Sequence, residues 1–392
     1  MPPDREEIGS RLKRLAQALT DRGLEAALIR YPLNIFYFTG TFADGHLLVT
    51  QSGEAFLLVY RTFERARAEA LIEEVRPFRS LKALPDFLKD LGIKHLALEE
   101  DRLPVAVYRG YERLLRDFAL SDLSPILRQL RARKSAYEIS CLRRAAEMLA
   151  ESIEAVLPSF RPGLTELEMA GMLEAELRKR GHPAYTRTYA FHQELAYGHL
   201  LTGEAAAVPS YVTTGQGGRG VVGFPQGPSE KVLREGEPLL IDYAGWHEGY
   251  LVDQSRLFYF GELPAALHDT FARIKQLMES LEETLRPGIT AEEVYHRARE
   301  TAEKLGLSPC FMAHGEERVP FVGHGVGLEI DEWPPLAPRV KVPLEEGMVV
   351  ALEPKCHLPG QGVIGLEDTF LITRQGAARL TLSPREIRRL EP

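Results

Sequence analysis

Cysteine is scarce. Cys141, Cys310 and Cys356 are the only three, far apart and without a Cys-x-x-Cys pair, which excludes a disulfide framework and a zinc knuckle. Long apolar runs are missing as well: none approaches the ~18 residues a bilayer span requires. The opening segment, residues 1–7 (MPPDREE), is charged where a secretion signal is apolar. No basic block occurs and the formal net charge is -8, which speaks against nucleic acid as a partner. The expectation is a reduced, cytoplasmic protein that engages neither membrane nor nucleic acid.

What remains is ordinary globular material, 44% apolar and 27% charged over 392 residues, more than one hydrophobic core usually organises. Residues 1–124 read as a small α/β domain. Ile8, Leu12, Leu15 and Leu19 recur at helical spacing, and short apolar runs follow at Ala26–Ile29, His46–Val49, Ala55–Val59 and Lys94–Leu98. The polar, basic stretch from Ser121 to Ser135, broken by Pro125, reads as the connection. A second domain, 125–392, carries amphipathic helices predicted at 137–157, 165–180, 264–285 and 290–305, with Thr165 and Thr290 placed to cap.

Between those helices lie two similar strand–turn–strand blocks. Residues 239–258 turn near Gly249, and residues 348–372 turn at Pro359-Gly-Gln-Gly362. Each places one acid in each strand: Asp242 with Asp253, and Glu353 with Glu367. The repetition suggests an α+β domain with pseudo-two-fold symmetry and converging carboxylates. In apolar strands such as Leu239-Leu-Ile-Asp242, an unpaired buried carboxylate costs several kcal/mol. The only bases in the two blocks are Arg256 and Lys355, with His247 and His357 if protonated, too few for a comfortable set of salt bridges. Two divalent cations would balance the set, and oxygen-rich ligation with one imidazole suits Mn²⁺, Co²⁺, Fe²⁺ or Zn²⁺.

From about Pro125 onward the chain resembles the pita-bread metallopeptidases, in the branch of aminopeptidase P and prolidase (Xaa-Pro dipeptidase). The resemblance rests on Arg133-Lys-Ser-Ala-Tyr-Glu-Ile139, Leu240-Ile-Asp242, Asp253-Gln-Ser-Arg256, Gly323-His-Gly-Val-Gly-Leu328, Glu353-Pro354 and Leu366-Glu-Asp368. Residues 1–124 look more loosely like that family's creatinase/prolidase N-terminal domain. The resemblance implies a pita-bread catalytic domain, two divalent ions (Mn²⁺, Co²⁺ or Zn²⁺) held by Asp242, Asp253, His324, Glu353 and Glu367, and Glu353 as the proton-handling ligand. It also implies a homodimer that hydrolyses short Xaa-Pro peptides.

Around those ligands the pattern departs. Ser210 and Asp331 stand where the family carries histidines, Gly365 where it carries arginine, Lys355 where it carries glycine and Leu257 where it carries threonine. Ser210 and Asp331 are therefore taken as catalytic candidates beside Glu353. The Gly-rich stretch 211–227 resembles an insertion; no Gly-Lys-Ser/Thr follows it, so it reads as a flexible loop at the site's mouth. Its Arg219 is a candidate for the lost guanidinium. His192, His199, Lys355 and His357 are candidates for the lost imidazoles, and Cys356 reads as a buried thiol. These departures keep two alternatives open: a metal-dependent enzyme acting on a non-peptide small molecule, and a binding protein without turnover.

Overall fold

The computed structural model describes residues 3–391; Met1 and Pro2 of the charged opening segment, and Pro392, lie outside the described residues. The chain divides into two compact units, Met1–Arg131 and Ala132–Pro392. No helix among the described residues is long and apolar enough to cross a membrane.

The first unit is built on a six-stranded mixed sheet. Its strands are β1 (Ala26–Ile29), β2 (Asp44–Thr50), β3 (Ala55–Arg61), β4 (Glu74–Pro77), β5 (His95–Leu98) and β6 (Ala119–Asp122), in the order β4-β3-β2-β1-β5-β6. The four apolar runs seen in the sequence became the four central strands. The edge strands β4 and β6 carry charged residues and only partial burial, which is how sheets discourage edge pairing and why apolar patterning misses them. The segment 121–135 is not an open connection. Ser124–Ala132 is helical, with Pro125 in the first turn, where its missing N–H costs nothing.

The second unit begins with helix Ala136–Val156, opened by a capping box from Ser135 and Glu138. The same device opens Glu166–Lys179 at Thr165 and Ala291–Lys304 at Thr290; Ala265–Thr284 completes the set. Strands β7 (Gly198–Thr202), β8 (Leu239–His247), β9 (Tyr250–Phe260) and the late β16 (Arg388–Leu390) form one sheet. Strands β10 (Gly323–Gly325), β11 (Val349–Leu352), β14 (Asp368–Thr373) and β15 (Gly376–Arg379) form another, and β12 (Lys355–Leu358) pairs with β13 (Gly362–Gly365) as a ribbon.

The first hairpin forms as expected, with Glu248 and Gly249 both at positive φ in its turn. The second does not stay whole. Pro354 lacks an N–H, and the block splits there: β11 pairs with β14, while β12 pairs with β13. Glu353 and Glu367 sit at the two sides of this break.

Strand alternation decides which face each acid takes. Leu239, Ile241, Tyr243, Phe258 and Phe260 pack against Leu149, Ile153 and Leu173 of the first two helices. Leu240 and Leu257 point the other way, into the core shared with helices Ala265–Thr284 and Ala291–Lys304. Asp242 is in phase with Leu240, and Asp253 with Leu257, so both acids turn from the first helix pair toward the strands around the break.

Candidate metal centre

All five residues singled out as ligands are buried and line one cleft. Asp242 reaches it from β8 and Asp253 from β9, where the Asp253 N–H donates to Thr369 Oγ1. His324 comes from β10, in register with Ala351 of β11. The Glu353 N–H donates to the Val322 carbonyl. Glu367 is tied to β9 through reciprocal backbone bonds with Ser255, whose hydroxyl donates to Glu367 Oε2 at 2.9 Å.

Around His324 the donors face one another. Its Nε2 lies 3.6 Å from Glu353 Oε1 and 4.0 Å from both Asp253 Oδ2 and Glu367 Oε1. Its Nδ1 is 3.0 Å from the Gly325 carbonyl, so Nδ1–H donates there and Nε2 is left for the cleft. Atoms of Asp253, His324 and Glu367 lie within 4.8 Å of one another. That spacing fits donors around one divalent ion, whose bonds are about 2.0–2.2 Å. Burial and the nearby Glu367 and Asp242 charges push Asp253 well above the usual carboxylate range. Burial likewise raises Glu367. For His324 burial works the other way, but Asp331, Glu353 and Asp253 outweigh it and hold the imidazole above its ordinary value.

The Asp242 side is different. Lys355 Nζ donates to Asp242 Oδ2 at 2.8 Å, to Glu353 Oε2 at 2.9 Å and to Glu367 Oε2 at 2.9 Å. Lys355 is fully buried. Burial opposes its charge, yet the three carboxylates hold the ammonium well above the ordinary lysine range. Burial also works against the charge of Asp242, but Lys355 and His199 hold it below the usual carboxylate range. One ammonium thus serves three acids, which a count of the bases overlooked. Arg256 is spent elsewhere: it is buried against Asp368 and the carbonyls of Ser255, Glu367, Ser383 and Pro384.

The Gly-rich loop packs over the cleft. Gln216 Nε2 donates to Asp242 Oδ2 at 2.5 Å and lies 3.1 Å from His199 Nδ1. The Gly215 carbonyl accepts from His357 Nε2, and a Cβ on Gly215 would come within 2.9 Å of Lys355 Cδ. Gln216 was missed in the sequence; a single amide in a glycine-rich stretch carries no local signature. Asp331 lines the cleft, its Oδ1 4.0 Å from His324 Nε2, at a φ of 62°. Ser210 is not among the cleft residues. It lines an adjoining cavity of about 230 Å³ with His357, His314 and Glu317, and its hydroxyl accepts from the Val212 N–H. Arg219 does not replace the lost guanidinium: it is exposed and paired with Glu204. His192 is exposed, whereas His199 lines the cleft, buried and pushed down to about 4 by that burial. Cys356 is a buried thiol beside Cys310.

Residues 140–374 match the profile of metallopeptidase family M24, and residues 11–133 that of the creatinase/prolidase N-terminal domain. The chain is 26% identical over 385 residues to the Xaa-Pro dipeptidase of Pyrococcus horikoshii, covering 97% of this chain and 99% of that one. Among solved structures it is similar to an Xaa-Pro dipeptidase from Bacillus anthracis, with a TM-score of 0.83 at 26% identity over 98% and 100% of the two chains. An X-Pro aminopeptidase from Thermotoga maritima has a TM-score of 0.80 at 26% identity, over 97% and 99%.

Proposed function

This chain belongs to metallopeptidase family M24, with a pita-bread catalytic unit and a creatinase/prolidase N-terminal unit, and we propose that this hydrolase is a metal-dependent exopeptidase cleaving Xaa-Pro bonds in short peptides. The carrying observation is the open set of donors around His324, with Asp253, Glu353 and Glu367 facing its Nε2. These four suffice for one ion, of manganese, cobalt or zinc; a second ion with Asp242 as its ligand would lie on the Lys355 side. A divalent ion on the four donors supplies a Lewis acid for the scissile carbonyl and acidifies a water.

The chain's own groups then divide the work. Glu353 accepts the proton of the attacking water and hands it to the departing amine. Asp331, facing the same imidazole across the cleft, orients the substrate amine, and His199 stands in for one missing imidazole. Ser210 touches the far end of the peptide from the adjoining cavity. A homodimer in the cytoplasm, with neither nucleic acid nor membrane as partner, completes the reading; the net charge of -8 supports the part on nucleic acid.

Protein stripped by chelator and reloaded with Mn²⁺, Co²⁺ or Zn²⁺ is expected to cleave Xaa-Pro peptides and to spare matched Xaa-Ala controls. Loaded protein that leaves every Xaa-Pro dipeptide and longer Xaa-Pro peptide intact sinks the reading. A second reading, a non-peptide small substrate, is favoured by Ser210, Asp331 and Gly365 at positions where the resembled family carries histidine, histidine and arginine. Its mark is bound metal and turnover of a small amide while peptides stay inert.

A further inference from the structure

We propose that Lys355 takes the place of one of the two expected metal ions, so that the centre is built for a single divalent ion on the His324 side. The inference rests on the C-terminal unit being a metal centre, as proposed above, and adds how many ions that centre takes and why.

Three observations carry it. The first is the position of Nζ. An ammonium has three donors, and here each meets a carboxylate oxygen, on Asp242, Glu353 and Glu367, at 2.8–2.9 Å. Those oxygens are the ones a second ion would need.

The second is how the two glutamates divide their oxygens. Oε2 of each faces Lys355, while Oε1 of each faces His324. That is how carboxylates bridge two cations, with the ammonium as one of them. The charges agree: one ammonium among four carboxylates leaves three negative charges, and one divalent ion reduces them to one. A second ion would have to share its oxygens with the ammonium.

The third is steric. Lys355 and Gly365 are direct cross-strand partners in the β12–β13 ribbon. A Cβ at Gly365 would lie 2.3 Å from Lys355 Cγ, and one at Gly215 would lie 2.9 Å from Lys355 Cδ. The lysine stem therefore runs between two positions that bear no side chain. Two of the departures noted in the sequence, lysine for glycine at 355 and glycine for arginine at 365, are one exchange: the cation at 355 needs the bare backbone at 365.

The test is a metal count on the full-length chain. After chelation and dialysis against excess Mn²⁺, elemental analysis is expected to find one ion per wild-type chain, with the electron paramagnetic resonance of an isolated Mn²⁺. Lys355→Gly, checked for folding by circular dichroism, is expected to bind two, with the spectrum of a coupled pair. Two ions in the wild type overturn the proposal, as does no ion, and as does a folded Lys355→Gly chain that gains none. Should that variant not fold, the wild-type count and spectrum still decide. Peptides are assayed on the same samples. One ion without cleavage removes the Xaa-Pro reading and leaves the assignment of Lys355 standing; two ions with cleavage do the reverse.

Discussion

Both units of the chain bury carboxylates, and they treat them in opposite ways. In the N-terminal unit Glu99, fully buried just after β5, accepts from the backbone N–H groups of Arg30 and Tyr31 and from Asn34 Nδ2 at 2.6–2.9 Å. Oε2 takes both its donors from the turn after β1 and Oε1 takes Asn34 from the helix Pro32–Thr39 that follows, so the group is complete within its own unit. In the C-terminal unit Asp253, Glu353 and Glu367 aim oxygens at one imidazole, and the Lys355 ammonium is occupied on the other side. The first arrangement locks a turn to a strand. The second leaves oxygens of three acids facing one another around His324, the arrangement that the proposed ion would complete.

The comparison breaks most sharply on the conservative amide change. Glu353→Gln is expected to lower turnover of Xaa-Pro peptides by about 10²–10⁴-fold and to leave the urea midpoint unchanged or raised, since one of four crowded negative charges is gone. If turnover survives while stability collapses, Glu353 is a structural acid like Glu99.

The same change at Glu99 has the reverse signature. Burial raises the Glu99 carboxyl to about 7, against the pull of Asn34 and the two backbone donors. A pKa above the unfolded value means that this stability is fully present below about pH 4.5 and is lost as pH rises through about 7. The loss is on the order of 3 kcal/mol. Hydrogen exchange of the β1 and β5 amides, corrected for intrinsic rates, is expected to show it in the wild type between pH 5 and 8. Glu99→Gln flattens that dependence and spares turnover; an equal slope in both proteins removes Glu99 as its source.

Glu99 carried no signal in the sequence, but much of the fold around the candidate site did, because the signals were local or paired. Thr165 and Thr290 were placed to cap and the helices after them start one residue later, while the first helix of the unit, read from its apolar face alone, opens on a capping box at Ser135. The repeated hairpin placed Asp242 and Asp253 in paired strands, as they are. The rest depended on contacts between distant residues. β4 and β6 hid because edge strands are polar. The split of the second hairpin was signalled by Pro354, but the likeness of the two blocks concealed it. Lys355 was visible among the acids, yet only the fold brings Asp242, 113 residues away, to its Nζ. The loop 211–227 read as flexible because glycine says where a chain can bend and nothing about where it is held.

Gln216 is the smallest of these effects and the most discriminating. It gives Asp242 a side-chain donor from a glycine-rich loop, where Glu99 takes two of its three donors from backbone N–H groups. Its amide shares Asp242 Oδ2 with Lys355, so removing it does not strand the carboxylate. Gln216→Ala is then expected to cost about 1.5 kcal/mol, the lower end for a hydrogen bond to a charged group, or roughly tenfold in kcat/KM. What happens to metal affinity tells which side of the cleft Asp242 serves. If Asp242 belongs to Lys355, Mn²⁺ affinity measured by titration calorimetry stays at the wild-type value in Gln216→Ala, because the ion touches only the His324 side. If Asp242 is itself a ligand, losing the amide that orients it shifts that affinity, by the ten- to hundredfold typical when a group supporting a ligand is removed. A shift of that size would return Asp242 to the metal and leave Lys355 as a neighbour of the ion instead of its replacement.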